Sequence, residues 1–250
     1  MNNRLFANTR TIMARELRGY FGSPLAYVLI VIFLLLNGFF TFFISGFYEM
    51  EQADLRDAFF RWHPWLFLVL VPAVAMRLWA EERRQGTMEL ILTLPVTLGE
   101  AIMGKFLAAW FFIAVSMILT FPLVLTTAYL GDPDLGAIFC GYVGSILLGG
   151  AYLSVGSMTS AITRNQVISF VAAAMICLFL VLAGYPPVTD PLADWVPKWI
   201  VDIVAGFSVM THYQSMQKGV IDFRDLLYYG SLMFFMLFAN GVILQARRSS

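Results

Sequence analysis

Charge is scarce in this chain. Asp, Glu, Lys and Arg make up only 13% of its 250 residues, while 60% are hydrophobic. Soluble chains carry about 25% charged and about 45–50% apolar residues. The shortage excludes a water-soluble domain, and recurrent apolar runs near the ~20 residues that span a bilayer place the chain among polytopic membrane proteins. Histidine and cysteine are scarcer still, at two each. Cys140 and Cys177 lie in apolar runs and read as small packing residues, not as a disulfide or a metal pair. His63 and His212 lack a second His or Glu at ligand spacing, which argues against a metalloprotease built on Glu81-Glu82 and against any bound metal. No proton-relay chain, selectivity filter, Arg-rich voltage sensor or inverted repeat is visible, which weakens a secondary-transporter reading. Gly99-Glu-Ala-Ile-Met-Gly104-Lys105-Phe106 nearly matches a phosphate-binding loop, but Phe106 stands where Ser or Thr must hold magnesium and no strand precedes it. The chain is therefore expected to bind no cofactor and to be no enzyme, and Lys105 reads as a headgroup contact at the membrane surface.

The apolar runs order the rest. Residues 1–24 alternate Leu5, Phe6, Ile12, Met13, Leu17 and Tyr20 against Arg4, Arg15 and Arg18 at helical period, which predicts an interfacial amphipathic helix. Glu16 falls in the middle of the apolar face. It is either an acid reaching interfacial water or one member of a structural charge pair with an arginine from another segment. Six spans follow, over 25–47, 62–80, 106–130, 135–162, 167–184 and 226–246. Pro72 is expected to kink the second, and Pro122 lies inside the third. Residues 48–61 read as a short polar loop. The fourth span is dense in Gly and Ser, so it is expected to pack against other helices and not against lipid. Residues 185–225, opened by four prolines, hold apolar stretches too short to span and read as an extracytoplasmic re-entrant segment. Asp202 there is either an acid in the bilayer or one at its water interface.

Residues 81–105 are the most densely charged stretch. Gly86 and Thr87 can open a helix with Glu89 in its first turn, and Pro95 stops it near Leu94. Thr97-Leu-Gly-Glu100 reads as a capping box opening the next helix. The product is a short helix carrying Leu90, Ile91 and Leu94 together, a shape suited to a groove on another protein. With both termini, residues 77–105 and the 163–166 loop on one side, eleven of the 16 Lys and Arg residues fall there, against five of the 16 acids. Cations favour the cytoplasm, so both termini are expected inside.

Glu81-Glu82-Arg-Arg-Gln-Gly86-Thr87-Met-Glu89-Leu90-Ile91-Leu-Thr-Leu94-Pro95 resembles the first cytoplasmic loop of ABC-2 type transporter permeases, a pattern near E-x-x-x-G-T-x-E-x-L-x-x-x-P. The order of apolar segments and the Lys218-Gly-Val-Ile element before the last span are similar as well. The resemblance implies an all-α polytopic fold and makes Thr87–Leu94 the coupling helix that contacts a separate ABC ATPase. It implies two ATPase copies carrying the ATP and magnesium, and a second permease protomer completing a homodimer in the bacterial inner membrane. The chain looks most like the gliding-motility and copper-enzyme-maturation branch, in which a periplasmic or membrane accessory protein is a further expected partner; a nucleic-acid partner is not. The alternatives from other classes are an ATPase-independent channel or secondary transporter, and a scaffold subunit that relays motion and transports nothing.

Overall fold

Long apolar stretches with helical spacing fold here into an antiparallel set of helices. The computed structural model describes residues 2–49, 54–86, 96–193 and 197–246. Helix α1 (Asn2–Phe21) runs into α2 (Pro24–Phe39), whose Pro24 sits in the first turn, where its missing N–H costs nothing. A π-helical turn over Phe40–Ile44 extends α2. Next come α3 (Leu55–Ala58), a 3₁₀ turn over Phe60–Trp62, α4 (His63–Ala75) and α5 (Ala80–Gln85). The remaining elements are α6 (Leu98–Ile118), α7 (Phe121–Leu130), α8 (Leu135–Ile162), α9 (Gln166–Leu182), α10 (Pro186–Ala193), α11 (Lys198–Gly206), α12 (Val209–Gln217) and α13 (Phe223–Ala246). Five stretches are long and apolar enough to cross a membrane: 24–44, 55–85, 98–130, 135–162 and 223–246. Helix α9 is equally apolar but has 17 residues. At 1.5 Å per residue it measures roughly 26 Å, just short of the ~30 Å hydrocarbon layer.

Helix α8 is the axis of the bundle, with Leu148, Ala151, Tyr152, Leu153 and Val155 fully buried. Its small residues explain why. A Cβ added at Gly156 would collide with the Ala75 methyl of α4, so this crossing exists only because position 156 lacks a side chain. Helix α1 crosses α6 on the same terms: a Cβ at Gly104 would stand 2.7 Å from Ile12 Cγ2. The glycine of the near-miss phosphate loop is thus a helix crossing.

Three expectations change. Residues 48–61 are no simple surface loop: α3 and the 3₁₀ turn fold inward, and Phe59 and Phe60 are fully buried. The second span is interrupted after Ala75 by a turn at residues 76–79, downstream of Pro72, which is accommodated inside α4. The third breaks at Leu119–Thr120, and Pro122 lies in the first turn of α7.

The end of the bundle remote from α1 is closed by a neutral polar cluster. His63 Nδ1 lies 2.7 Å from Ser145 Oγ, and His63 Nε2 lies 3.2 Å from Asn37 Oδ1. Tyr213 of α12 donates to the Phe60 carbonyl at 3.0 Å and lies 2.9 Å from Ser145 Oγ. All four side chains are buried. Nearby, Asp225 at the start of α13 meets His212 Nδ1 at 2.7 Å and accepts from the Ser215 hydroxyl. The 185–225 segment therefore holds three short helices among its described residues, one of them (α12) buried against α8. Asp202, on α11, is exposed.

Candidate functional site

The break between α4 and α5 creates the site. A chain leaving α4 at Ala75 and re-entering helix at Ala80 leaves backbone groups without helical partners, and buried ones must be matched. Ser160 of α8 matches three of them. Its hydroxyl donates to the Met76 carbonyl and accepts from the Trp79 and Ala80 N–H groups, each at 3.0 Å. Trp79 Nε1 donates to Ser157 Oγ at 3.3 Å, and Asn240 Nδ2 of α13 donates to that same oxygen at 2.7 Å. Arg83 reaches the Ala161 carbonyl at 2.5 Å. Residues 76–83 are thereby fastened to the end of α8.

A buried ionic node holds the other flank. Lys105 of α6, 4% exposed, lies 2.7 Å from Glu82 of α5 and 3.3 Å from Glu16 of α1. Its ammonium also stands 5.3 Å from the centre of the Trp79 ring. Arg15 pairs with Glu16 at 2.8 Å from the exposed side. Lys105 is thus a buried cation between two carboxylates and no headgroup contact, and Glu16 faces a lysine where an arginine was expected. Glu81 points elsewhere, 3.6 Å from Arg77 one turn earlier.

Gly86 closes a helix, α5. It caps α5 with φ +70°, a left-handed conformation that suits glycine. On the far side, Thr97 and Glu100 form the reciprocal capping box at the start of α6, with the Thr97 N–H donating to Glu100 at 2.6 Å. Asn8 of α1 donates to Glu100 at 3.2 Å, so α1 touches both flanks. Thr87, Glu89, Leu90, Ile91, Leu94 and Pro95 lie outside the described residues. Glu81, Glu82 and Gly86 are brought together on α5 and its cap, at the entrance to that stretch.

Sequence reasoning passed over Trp79, Ser160 and Asn240, took Ser157 only as a small packing residue, and gave Lys105 a headgroup role. The available signals were weak but present: two serines one turn apart at the end of a small-residue helix, and a lone amide in an apolar span. Among the described residues no group of His, Cys, Asp or Glu could hold a metal ion, and Cys140 and Cys177 are free. What the arrangement can do is mechanical. Any displacement of residues 87–95 pulls on α5 and α6, and through Lys105, Trp79 and Ser160 on α1 and α8.

The family model described as ABC-2 family transporter protein matches residues 10–196. No curated protein matches the chain.

Proposed function

Since the chain belongs to the ABC-2 family of transporter proteins, we propose that it is the permease subunit that couples ATP hydrolysis in a separate ATPase to export, or to force transmission, across the bacterial inner membrane. It works as a homodimer with two ATPase copies, each protomer crossing the membrane six times once α9 is counted. Both termini and residues 77–105 lie in the cytosol, consistent with eleven of the 16 Lys and Arg residues on that side when the 163–166 loop is included. ATPase closure pushes the Thr87–Leu94 helix, and α4 and α6 tilt in response. The observation that carries this reading is the fastening of both flanks of residues 87–95 to α1 and α8. A segment that only capped the bundle would need no such rigid attachment to its central helix.

The experiment truncates the knob. Leu90→Ala/Leu94→Ala removes several methylene-sized groups, each worth ~0.8 kcal/mol when fully buried. With ~1.4 kcal/mol per decade, association with the ATPase weakens about tenfold or more. Glu89→Lys acts in the same direction by opposing the helix dipole. Co-purification of the ATPase and its ATP turnover are measured with membrane insertion as control. Unchanged association and turnover in both variants would remove the coupling assignment and favour an ATPase-independent channel or carrier.

A further inference from the structure

A cleft of about 160 Å³ opens between α1, α2 and the end of α4, separate from the ionic node except for a shared wall at Glu16. Its polar lining is Glu16, Tyr20, Ser23, Arg77 and Glu81, and its apolar lip is formed by Leu25 and Leu29 at the start of α2. We propose that this cleft binds the headgroup of a phospholipid bearing a primary amine, of the ethanolamine type, in the leaflet at the α1 end of the bundle.

The charged and polar lining suits a headgroup, and the cleft is open on one side at Leu25 and Leu29. The tails have their own path. Leu25 is 36% exposed, and Val28, Val31 and Ile32 beyond it are exposed along α2. The charges choose the chemistry. Arg77 and Glu81 are each 37% exposed at the side chain, and they face one another at 3.6 Å, beyond hydrogen-bond length. Among the described residues Arg77 makes no hydrogen bond, so its guanidinium can take a phosphate by charge-assisted bonds. Arg77 and Glu81 present one charge of each sign, so a ligand of net negative charge would leave Glu81 unmatched. A lipid with both signs satisfies the cleft: phosphate on Arg77, ammonium on Glu81. Glu16 already serves Arg15 and Lys105, which leaves Glu81 as the main ammonium acceptor. An ethanolamine ammonium donates three hydrogen bonds to such a site, whereas a quaternary choline donates none. Tyr20 adds a neutral donor: burial first, then the Glu16 charge, pushes its hydroxyl pKa well above the ordinary value, with Arg77 opposing only in part.

The test titrates ethanolamine, choline and glycerol phospholipids of identical acyl chains into the detergent-solubilised protein and reads bound lipid by native mass spectrometry. The ethanolamine lipid is expected to bind about tenfold tighter than either other lipid, the scale of one decade for the extra charged hydrogen bonds. Arg77→Gln and Glu81→Gln are each expected to abolish that preference, while Asp202→Asn at the opposite end retains it. Both tested side chains are over one-third exposed, so the fold survives, as an unchanged elution profile will report. Equal affinity for the three lipids, tightest binding of the glycerol lipid, or a preference surviving both variants would overturn the site. Free O-phosphoethanolamine that binds as tightly as the lipid would overturn the lipid as its source.

Discussion

The two ends of the bundle solve one problem, polar groups inside an apolar protein, by opposite means. At the α1 end the answer is ionic: one lysine between two carboxylates whose side chains are 20% and 16% exposed. At the opposite end the central cluster is neutral: His63, Asn37, Ser145 and Tyr213 share hydrogen bonds without a formal charge pair, with Asp225 and His212 paired beside it. Neutral networks with every member matched hold one geometry. Ionic nodes lose much more when one member leaves, because the survivors are buried charges. The opposite end is thus built as an anchor, and the α1 end as a joint whose integrity depends on one cation.

Lys105→Met breaks this comparison hardest. It removes the buried cation shared by Glu16 and Glu82, and removing one partner of a buried pair costs about 3–5 kcal/mol. Thermal unfolding of the solubilised protein will show a much lowered midpoint, and Lys105→Met/Glu82→Gln will recover part of it. A midpoint unchanged from the parent would mean that water already screens the node.

Tyr213→Phe is expected to cost less, about 0.5–1.5 kcal/mol, by removing the hydroxyl that donates to the Phe60 carbonyl, which keeps the His63 N–H. The loss will be read by the same melt. A loss as large as that of Lys105→Met would erase the distinction between the two ends.

Asp134→Asn sharpens the comparison from below. Asp134 caps α8 through the Ala137 N–H at 3.1 Å and pairs with Arg56 at 3.2 Å in the open. Asparagine keeps the cap and removes only the charge, so the expected change is within ~0–1 kcal/mol. A drop of several kcal/mol would show that exposed pairs matter here as much as buried ones.

What could be read from the sequence was whatever its neighbours in the chain decide. The Thr97/Glu100 box depends on residues three apart, and it is present. The Gly and Ser density of 135–162 demanded a helix packed on several sides, and two-thirds of that helix's most apolar stretch is buried, against 11% for α13. What could not be read depends on distant partners. Lys105 looks like any cation at a membrane edge until α1 and α5 bring Glu16 and Glu82 beside it. Gly86 was judged from Thr87 after it, whereas α5 before it sets its positive φ. The inward fold of residues 54–62 had a trace in adjacent Phe59 and Phe60, outweighed by the four acids and two arginines of residues 48–61.

Ser160 Oγ gives its single proton to Met76 and takes the N–H groups of Trp79 and Ala80 on its two lone pairs, so its bonding capacity is full. Three bonds that meet on one atom are not lost one at a time. If α8 slides or turns enough to withdraw that oxygen, α4 and α5 are freed from each other's orientation in a single step, and when it returns they are set again together. The second span therefore behaves less like a bent rod than like two rods latched end to end, with the catch carried on a neighbouring helix.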